Sequence, residues 1–323
     1  MTQIASSDPP ARWTRVAVAV GVALLAIAYI VRLAYVMPHY GTDFDQVRFA
    51  GKLVLQGENP YTTIGQHRKY VWTNGFHYPM QAVVIGLPTA LLSLVPGRAL
   101  WVGVTSGTLA FVLTRRAWWP LVTLLSAPWW FAVAFAQWSP IVLAAWFVPA
   151  LGFVLAAKPN IGLAVYLASK NLSAFRTRTV ACVLITVLAF VLMPSWLGEW
   201  LHSIGDADYV QQLVRVPGGA FVLLVLLRWR RPEARFLAAL SMIPHDPQLY
   251  EGLLLFAVPA TAIQAATLAV CSWGFDPIVE AAGFRETAAE RSLIHAYAIL
   301  ITMYLPAVVL VLRRPNVSPT GFE

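Results

Sequence analysis

Long apolar stretches separated by short polar clusters dominate the chain, and this pattern predicts membrane-spanning helices. A helix needs about 20 residues to cross a bilayer, with a range of roughly 17–25. Residues 16–37 form the first candidate, with Arg32 near its end, and the uncharged run 117–157 could form two helices with a turn near 137–140. The other candidates are 77–97, 99–114, 159–169, 179–198, 216–227, 236–244, 252–275 and 292–312. The sequence therefore predicts an all-α, polytopic transmembrane protein with about eleven membrane segments.

Composition and charge support this class. Of the 323 residues, 59% are hydrophobic and 12% are charged, whereas an average soluble domain is about 25% charged. The net charge of +8 resides in short clusters between apolar segments, which is typical of cytoplasmic loops and not of a nucleic-acid-binding surface. We expect one transmembrane catalytic domain at 16–312, between a cytoplasmic tail at 1–15 and a C-terminal tail at 313–323.

The positive-inside rule gives an expected topology for these segments. With the N-terminus inside, the loop 38–76 lies outside and Arg98 lies inside. The clusters at 170–178 and 228–235 also fall inside, as the rule requires.

The same topology has two exceptions and one consequence for function. Arg115–Arg116 and Arg313–Arg314 come out on the outer side, against the rule. Asp43, Lys158 and His245 all come out at outer ends of helices, on one side of the membrane. The protein is therefore expected in the cell membrane, with its active site facing the periplasm or the outside.

The outer loop contains a predicted amphipathic helix that begins after Thr42 or Asp43 and ends at Gly57. At 100° per residue, Asp43 shares an apolar stripe with Val47, Ala50 and Val54, while Asp45, Arg48 and Lys52 form the opposite, polar stripe. We expect the helix to lie at the membrane surface. A carboxylate at Asp43 that faces the protein is costly without a partner or a function, although it could also simply cap the helix.

Several short motifs in the chain occur in the same order as in a known enzyme family. The outer loop supplies Asp43-Phe44, Ala50, Gly57 and Pro60-Tyr61. The later motifs are Tyr78-Pro79 after His77, then Gln137-Trp138-Ser139, Lys158-Pro159-Asn160, Pro244-His245 and Tyr250-Glu251. In this order the sequence resembles the integral-membrane GT-C glycosyltransferases that use polyprenol-phosphate sugars, specifically the bacterial mannosyltransferase branch. The expected topology places the Gln137 motif on the inner side.

The resemblance implies a GT-C-like fold and an inverting transfer in which Asp43 is the general base. The sugar, a mannose-like hexose or arabinofuranose, would move from a polyprenol phosphate to a hydroxyl of a glycolipid or glycan acceptor. A carboxylate can take the proton of the attacking hydroxyl, and cationic or polar groups can stabilise the leaving phosphate. The expected substrate- and phosphate-binding residues are Arg48, Tyr61, His77, Tyr78, Gln137, Lys158, His245 and Tyr250.

Asp43 and Asp45 also form an acid-x-acid pattern that could hold a divalent cation with a phosphate. On a helix, residues i and i+2 diverge by about 200°, so we expect no metal and no other cofactor beyond the lipid-linked donor.

Two other functions remain open on the sequence alone. A transporter or flippase is the main alternative, but the chain has no visible internal repeat and its charges gather at helix ends. A non-catalytic membrane scaffold would leave Asp43 without a purpose.

Overall fold

The computed structural model describes residues 11–37, 40–72, 75–115, 117–205, 212–245, 247–283 and 287–316. These residues form helices and turns, with no strand among them. The α-helices are α1 (Arg12–Val36), α2 (Asp43–Leu55), α3 (Pro60–Thr63), α4 (Met80–Ala90), α5 (Leu94–Leu113), α6 (Ala127–Ala134), α7 (Ser139–Phe147), α8 (Pro159–Leu167), α9 (Leu172–Leu192), α10 (Trp196–Gly205), α11 (Pro232–Met242), α12 (Ala262–Ser272), α13 (Phe275–Ala282), α14 (Ala288–Ile299) and α15 (Leu305–Leu312).

Several 3₁₀ segments and one π segment connect or extend these helices. The 3₁₀ segments are Trp119–Leu125, Pro149–Ala156, Leu213–Arg215, Gly219–Arg228 and Leu249–Ala257, and the π segment is Leu300–Tyr304. Most of the two predicted tails, 1–10 and 317–323, lies outside the described residues. Residues 12–15, predicted as tail, belong to α1.

Four helical stretches are long and apolar enough to cross a membrane: Arg12–Val36, Leu172–Leu192, Ala262–Ala282 and Ala289–Leu312. A fifth exists if α4 and α5, between which the chain bends by 116°, form one broken span. Several other predicted segments form helices too short to cross a membrane alone. Helices α7 and α8 have nine residues each, which extend only about 14 Å. The all-helical fold with apolar spans agrees with the expectation, while the total of about eleven segments stays a prediction.

Helix α5 runs antiparallel to α1 and packs on it through small residues. A Cβ added to Gly103 would lie 2.8 Å from Ile27 Cδ1, and one added to Gly107 would lie 3.2 Å from the Ala19 carbonyl oxygen. Glycines allow such close approach of two helices in an apolar environment. At one end of the pair, Arg15 Nη2 donates to the Phe111 carbonyl oxygen at 2.9 Å.

Helix α2 has the predicted bounds but not the predicted setting. Asp45 accepts the backbone N–H of Thr42 at 2.8 Å and so closes the first turn, and Gly57 ends the helix with a φ of 75°. The polar stripe was expected to face water, yet Asp45 and Arg48 are each only 2% exposed. The expectation that this face meets water was wrong because α4 and α5 cover it, while the position of α2 at the membrane surface stays a prediction.

Contacts between distant basic residues correct the expected topology. Arg98, expected inside, forms an ion pair with Asp45 of the loop 38–76, which was expected outside, and it lies within α5 rather than between two spans. Arg115 follows the end of α5 that contacts Arg15, so it lies on the side of the N-terminal arginines; Arg116 lies outside the described residues. Arg228 Nε donates to the Arg314 carbonyl oxygen at 2.6 Å, which places both at the same end of the molecule. Arg115 and Arg314, two of the arginines that the expected topology placed on the outer side, therefore lie beside basic residues that it placed inside.

Helices α7 and α8 run side by side toward a buried arginine. Arg178 in α9 is 1% exposed and donates to the carbonyl oxygens of Ala145, Trp146 and Val165 at 3.1 Å each. These acceptors lie near the C-terminal ends of α7 and α8, where carbonyls lack helical partners. Between the two helices, the segment Pro149–Ala156 passes so close to α8 that a Cβ on Gly162 would lie 2.1 Å from the Leu155 oxygen.

Candidate functional site

Asp43 lies at the meeting point of three separate parts of the chain. It is the first residue of α2 and is half-buried. The Gln137 side-chain amide donates to Asp43 Oδ2, and the Tyr250 hydroxyl donates to the same oxygen at 3.3 Å. Burial, chiefly, together with Tyr29 and the charge of Asp43, raises the pKa of the neighbouring Tyr40 hydroxyl. Tyr40 therefore stays neutral beside the carboxylate.

Gln137 is held in place by an unusual backbone turn. Ala136, just before it, has a φ of 50°, in the left-handed region where a residue with a Cβ costs about 1–2 kcal/mol. The Gln137 N–H donates to the Ala132 carbonyl at 2.7 Å, and the Trp101 indole donates to the Ala136 carbonyl at 2.9 Å. This turn joins α6 to α7 and aims the amide at Asp43.

Aromatic rings brace this turn against α2. Phe44 stacks on Trp101 with ring centroids 4.3 Å apart, and Trp101 meets the edge of Trp138 at 4.5 Å. All three rings are buried, so the backbone on either side of Asp43 and Gln137 is fixed by packing as well as by hydrogen bonds.

The ammonium group of Lys158 contacts the other end of the Gln137 amide. Its Nζ donates to Gln137 Oε1 at 3.1 Å and lies 3.0 Å from Glu251 Oε1. It also lies 4.9 Å from the centre of the Tyr250 ring. The amide of Gln137 therefore connects the carboxylate of Asp43 to the ammonium group of Lys158.

His245 completes what we call the polar network: Asp43, Gln137, Lys158, His245, Tyr250 and Glu251. His245 Nδ1 lies 2.8 Å from the Ile243 carbonyl oxygen, which can only accept, so this nitrogen carries a hydrogen. The other nitrogen, Nε2, lies 3.3 Å from Glu251 Oε2. The buried side chains of His245 and Glu251 therefore face each other through these two atoms.

The polar network bears on two expectations about position. Asp43, Lys158 and His245, expected on one side of the membrane, lie in one set of contacts. Gln137 joins them although the expected topology placed it on the opposite side. That placement was wrong because Ala117–Phe135 does not form one continuous helix: it is a 3₁₀ segment followed by the short α6.

Glu251 is the member of the polar network that was not predicted as a site residue. It is 3% exposed and contacts both Lys158 and His245. The sequence analysis included Glu251 in the Tyr250-Glu251 motif without giving it a role, although an acid at the start of an apolar run is itself a signal, because a carboxylate is rarely buried without a charged partner.

Three predicted residues, Tyr61, His77 and Tyr78, lie beside the polar network. The Tyr61 hydroxyl donates to the Tyr78 carbonyl at 3.0 Å, and burial raises the pKa of Tyr61. The Tyr78 ring lies 6.3 Å from the Trp138 ring, next to Gln137. The His77 carbonyl accepts from the Trp200 indole at 2.9 Å, which ties the outer loop to α10.

Arg48 and Asp45 have contacts outside the polar network. Arg48 is buried and donates to the Leu92 carbonyl between α4 and α5, and its role in phosphate binding stays a prediction. Asp45 accepts from Arg98 through both oxygens, at 2.9 and 2.5 Å, and from the Thr42 hydroxyl at 3.0 Å. A metal shared by Asp43 and Asp45 would have to displace that arginine.

No group of three or more His, Cys, Asp or Glu side chains suited to a metal ion occurs within the described ranges. No protein-family model matches the chain, and no curated protein and no solved structure is detectably similar to it. The chemistry of the polar network and the motif resemblance are therefore the basis for a functional proposal.

Proposed function

We propose that the chain is an integral-membrane glycosyltransferase that moves a sugar from a polyprenol phosphate to a hydroxyl acceptor with inversion at the anomeric carbon. The observation that carries the proposal is the polar network itself. Five residues expected from separate motifs, Asp43, Gln137, Lys158, His245 and Tyr250, join in one set of contacts. This supports the order of motifs as a functional pattern rather than a chance similarity.

In the proposed reaction, Asp43 takes the proton of the acceptor hydroxyl as its oxygen attacks the anomeric carbon. The new carbon–oxygen bond forms while the bond between that carbon and the phosphate oxygen breaks. The polyprenol phosphate leaves with the bonding electrons, and the proton remains on Asp43 until it passes to solvent. Gln137 and Tyr250 both donate to Asp43 Oδ2, which orients the carboxylate for this role.

The leaving phosphate needs positive charge close to the carboxylate, and Lys158 and His245 are the candidates to supply it. Lys158 reaches Asp43 through a single amide, at 3.1 Å from Gln137 Oε1. Glu251 contacts both side chains, so it can hold them in place before a phosphate binds. The general base and the cations thus stand on opposite sides of Gln137, where an acceptor and a donor could meet.

We propose further that the chain crosses the membrane several times, with the polar network toward the outer face. Arg15, Arg115, Lys170, Arg228 and Arg314 lie at helix ends away from the network, and the positive-inside rule assigns such clusters to the cytoplasm. The 13-residue step from Arg98 to Phe111 in α5 separates the Asp45–Arg98 pair, close to Asp43, from Arg15 by about 20 Å. In an apolar core about 30 Å thick, this distance is consistent with a site in the outer half of the bilayer.

The proposal is tested by incubating membranes that contain the chain with radiolabelled polyprenol-phosphate mannose and, separately, polyprenol-phosphate arabinose. We expect the label to appear in a new glycosidic product with one of the two donors. Movement of intact labelled lipid across the membrane without a new product would instead favour the flippase alternative.

A further inference from the structure

Six arginines from two distant parts of the sequence meet at the end of the molecule away from Asp43. We call Arg228, Arg230, Arg231, Arg235, Arg313 and Arg314 the arginine patch. Arg228 donates to the carbonyl oxygens of Leu312 at 3.2 Å and of Arg314 at 2.6 Å. Arg231 donates to the Pro315 carbonyl at 2.7 Å. The C-terminal end of α15 is thereby fixed to the turn before α11.

The charge of this patch is not balanced by its own sequence. Residues 228–235 and 312–316 contain six arginines and one acid, Glu233, which leaves six minus one, or five, positive charges. The contacts with carbonyl oxygens orient the guanidinium groups but do not neutralise them. Burial lowers the pKa of Arg314; Glu233 opposes this effect and Arg231 adds to it. The positive charges of Arg231 and Arg314 are thus close enough to repel each other.

The surroundings of the patch fit the headgroup region of a bilayer. Trp229 is 54% exposed, and the Arg230 guanidinium lies 5.5 Å from its ring centre. Tryptophan is enriched where a protein meets lipid headgroups. Guanidinium groups bind phosphate oxygens in pairs, and basic pockets between helices on the cytoplasmic side bind anionic headgroups.

We propose that the arginine patch binds the phosphate of an anionic phospholipid and so fixes the C-terminal end of α15 to the 219–235 segment. The partner is a lipid of the surrounding membrane, and the site is separate from the polar network. Binding neutralises part of the excess charge, so the folded protein is more stable in the presence of this lipid.

The test uses the full chain in a neutral detergent, with thermal unfolding as the measurement. Phosphatidylglycerol at saturation should raise the unfolding midpoint by roughly 5 °C, while phosphatidylcholine and inorganic phosphate should each raise it by much less. The variant Arg231→Gln/Arg314→Gln should lose at least half of the rise. The control, Arg12→Gln/Arg176→Gln, changes the same charge at exposed positions and should keep it.

Three results would overturn the proposal. An equal rise with inorganic phosphate would indicate a site for a free anion, and an equal rise with phosphatidylcholine would indicate a general lipid effect. An equal loss in the patch variant and the control would indicate attraction by net charge alone. If the glutamine variant does not fold, Arg231→Lys/Arg314→Lys replaces it, and native mass spectrometry replaces thermal unfolding. We then expect the wild-type chain to retain one phosphatidylglycerol, displaced by neither phosphatidylcholine nor phosphate. Absence of this retained lipid rejects the site.

Discussion

Asp45 and Arg98 form a buried, two-point ion pair across 53 residues of sequence, with distances of 2.9 Å from Nε and 2.5 Å from Nη2. Each side chain is at most 4% exposed. Arg98 Nη2 also donates to the Tyr40 carbonyl at 2.8 Å. The pair therefore fixes the start of α2, and with it Asp43, to the first turn of α5.

Breaking this ion pair should lower the stability of the fold rather than act directly on the reaction. We expect Asp45→Asn to lower the free energy of unfolding by about 3–5 kcal/mol, because Arg98 then keeps a buried charge without its counter-ion. Chemical denaturation in detergent measures the change. The double variant Asp45→Asn/Arg98→Gln should lose less than the two single variants added together. A cost under about 1 kcal/mol for the single variant would show that the pair is not buried.

The left-handed Ala136 predicts an unusual response to glycine. Ala136→Gly should leave the free energy of unfolding unchanged or raise it by up to about 1 kcal/mol, because glycine adopts a φ of 50° without the steric cost of a Cβ. The control Ala132→Gly, in the interior of α6, should lower it by at least about 0.5–1 kcal/mol. Equal losses in both variants would mean that the turn before Gln137 is not left-handed.

Glu251 should matter for activity through Lys158 and His245, the two basic side chains it contacts. We expect Glu251→Gln to lower kcat/KM for sugar transfer about 10–100-fold, because a hydrogen bond to a charged group contributes roughly 1.5–3 kcal/mol. Glu251→Asp, which keeps the charge, should retain more activity than Glu251→Gln. The matched control is Glu199→Gln, an acid of α10 that accepts from Asn59 at 3.0 Å outside the polar network; a similar loss there would indicate a general effect of removing an acid.

The two ends of the molecule should differ in accessibility. With the cysteine-free background Cys182→Ala/Cys271→Ala, a membrane-impermeant maleimide should label Thr62→Cys in intact cells. It should label Ser173→Cys, at the start of α9, only after permeabilisation. Both positions are exposed, so burial does not explain a difference. Labelling of Ser173→Cys first would reverse the proposed orientation.

Local signals in the sequence predicted much of what surrounds Asp43. The bounds of α2 followed from Thr42 and Gly57, which act through nearest-neighbour geometry. The polar residues Gln137, Lys158 and His245 stand out because each interrupts an apolar run, and polar groups in such runs need partners. These features require no knowledge of long-range contacts.

The features that escaped prediction depend on those contacts. Helical periodicity showed that Asp45 and Arg48 share a face, but not that α4 and α5 cover it. The charge rule treated Arg98 as a loop marker, since it does not include buried arginines paired with a distant acid. The sequence of short segments such as α6 and α7 likewise does not show on which side of the molecule the turn between them lies. The expected topology therefore placed Gln137 on the wrong side.

The most direct test of the central claim compares sugar transfer by the wild-type chain and by Asp43→Asn. Both are measured at equal levels in membranes with the labelled polyprenol-phosphate donor that the wild type uses, and Glu58→Gln, an exposed acid of the same loop, serves as the control. With Asp43 as the base, Asp43→Asn should lose at least about 100-fold in rate, while Glu58→Gln keeps nearly full activity. Full transfer by Asp43→Asn would contradict the assignment of Asp43 and the mechanism built on it.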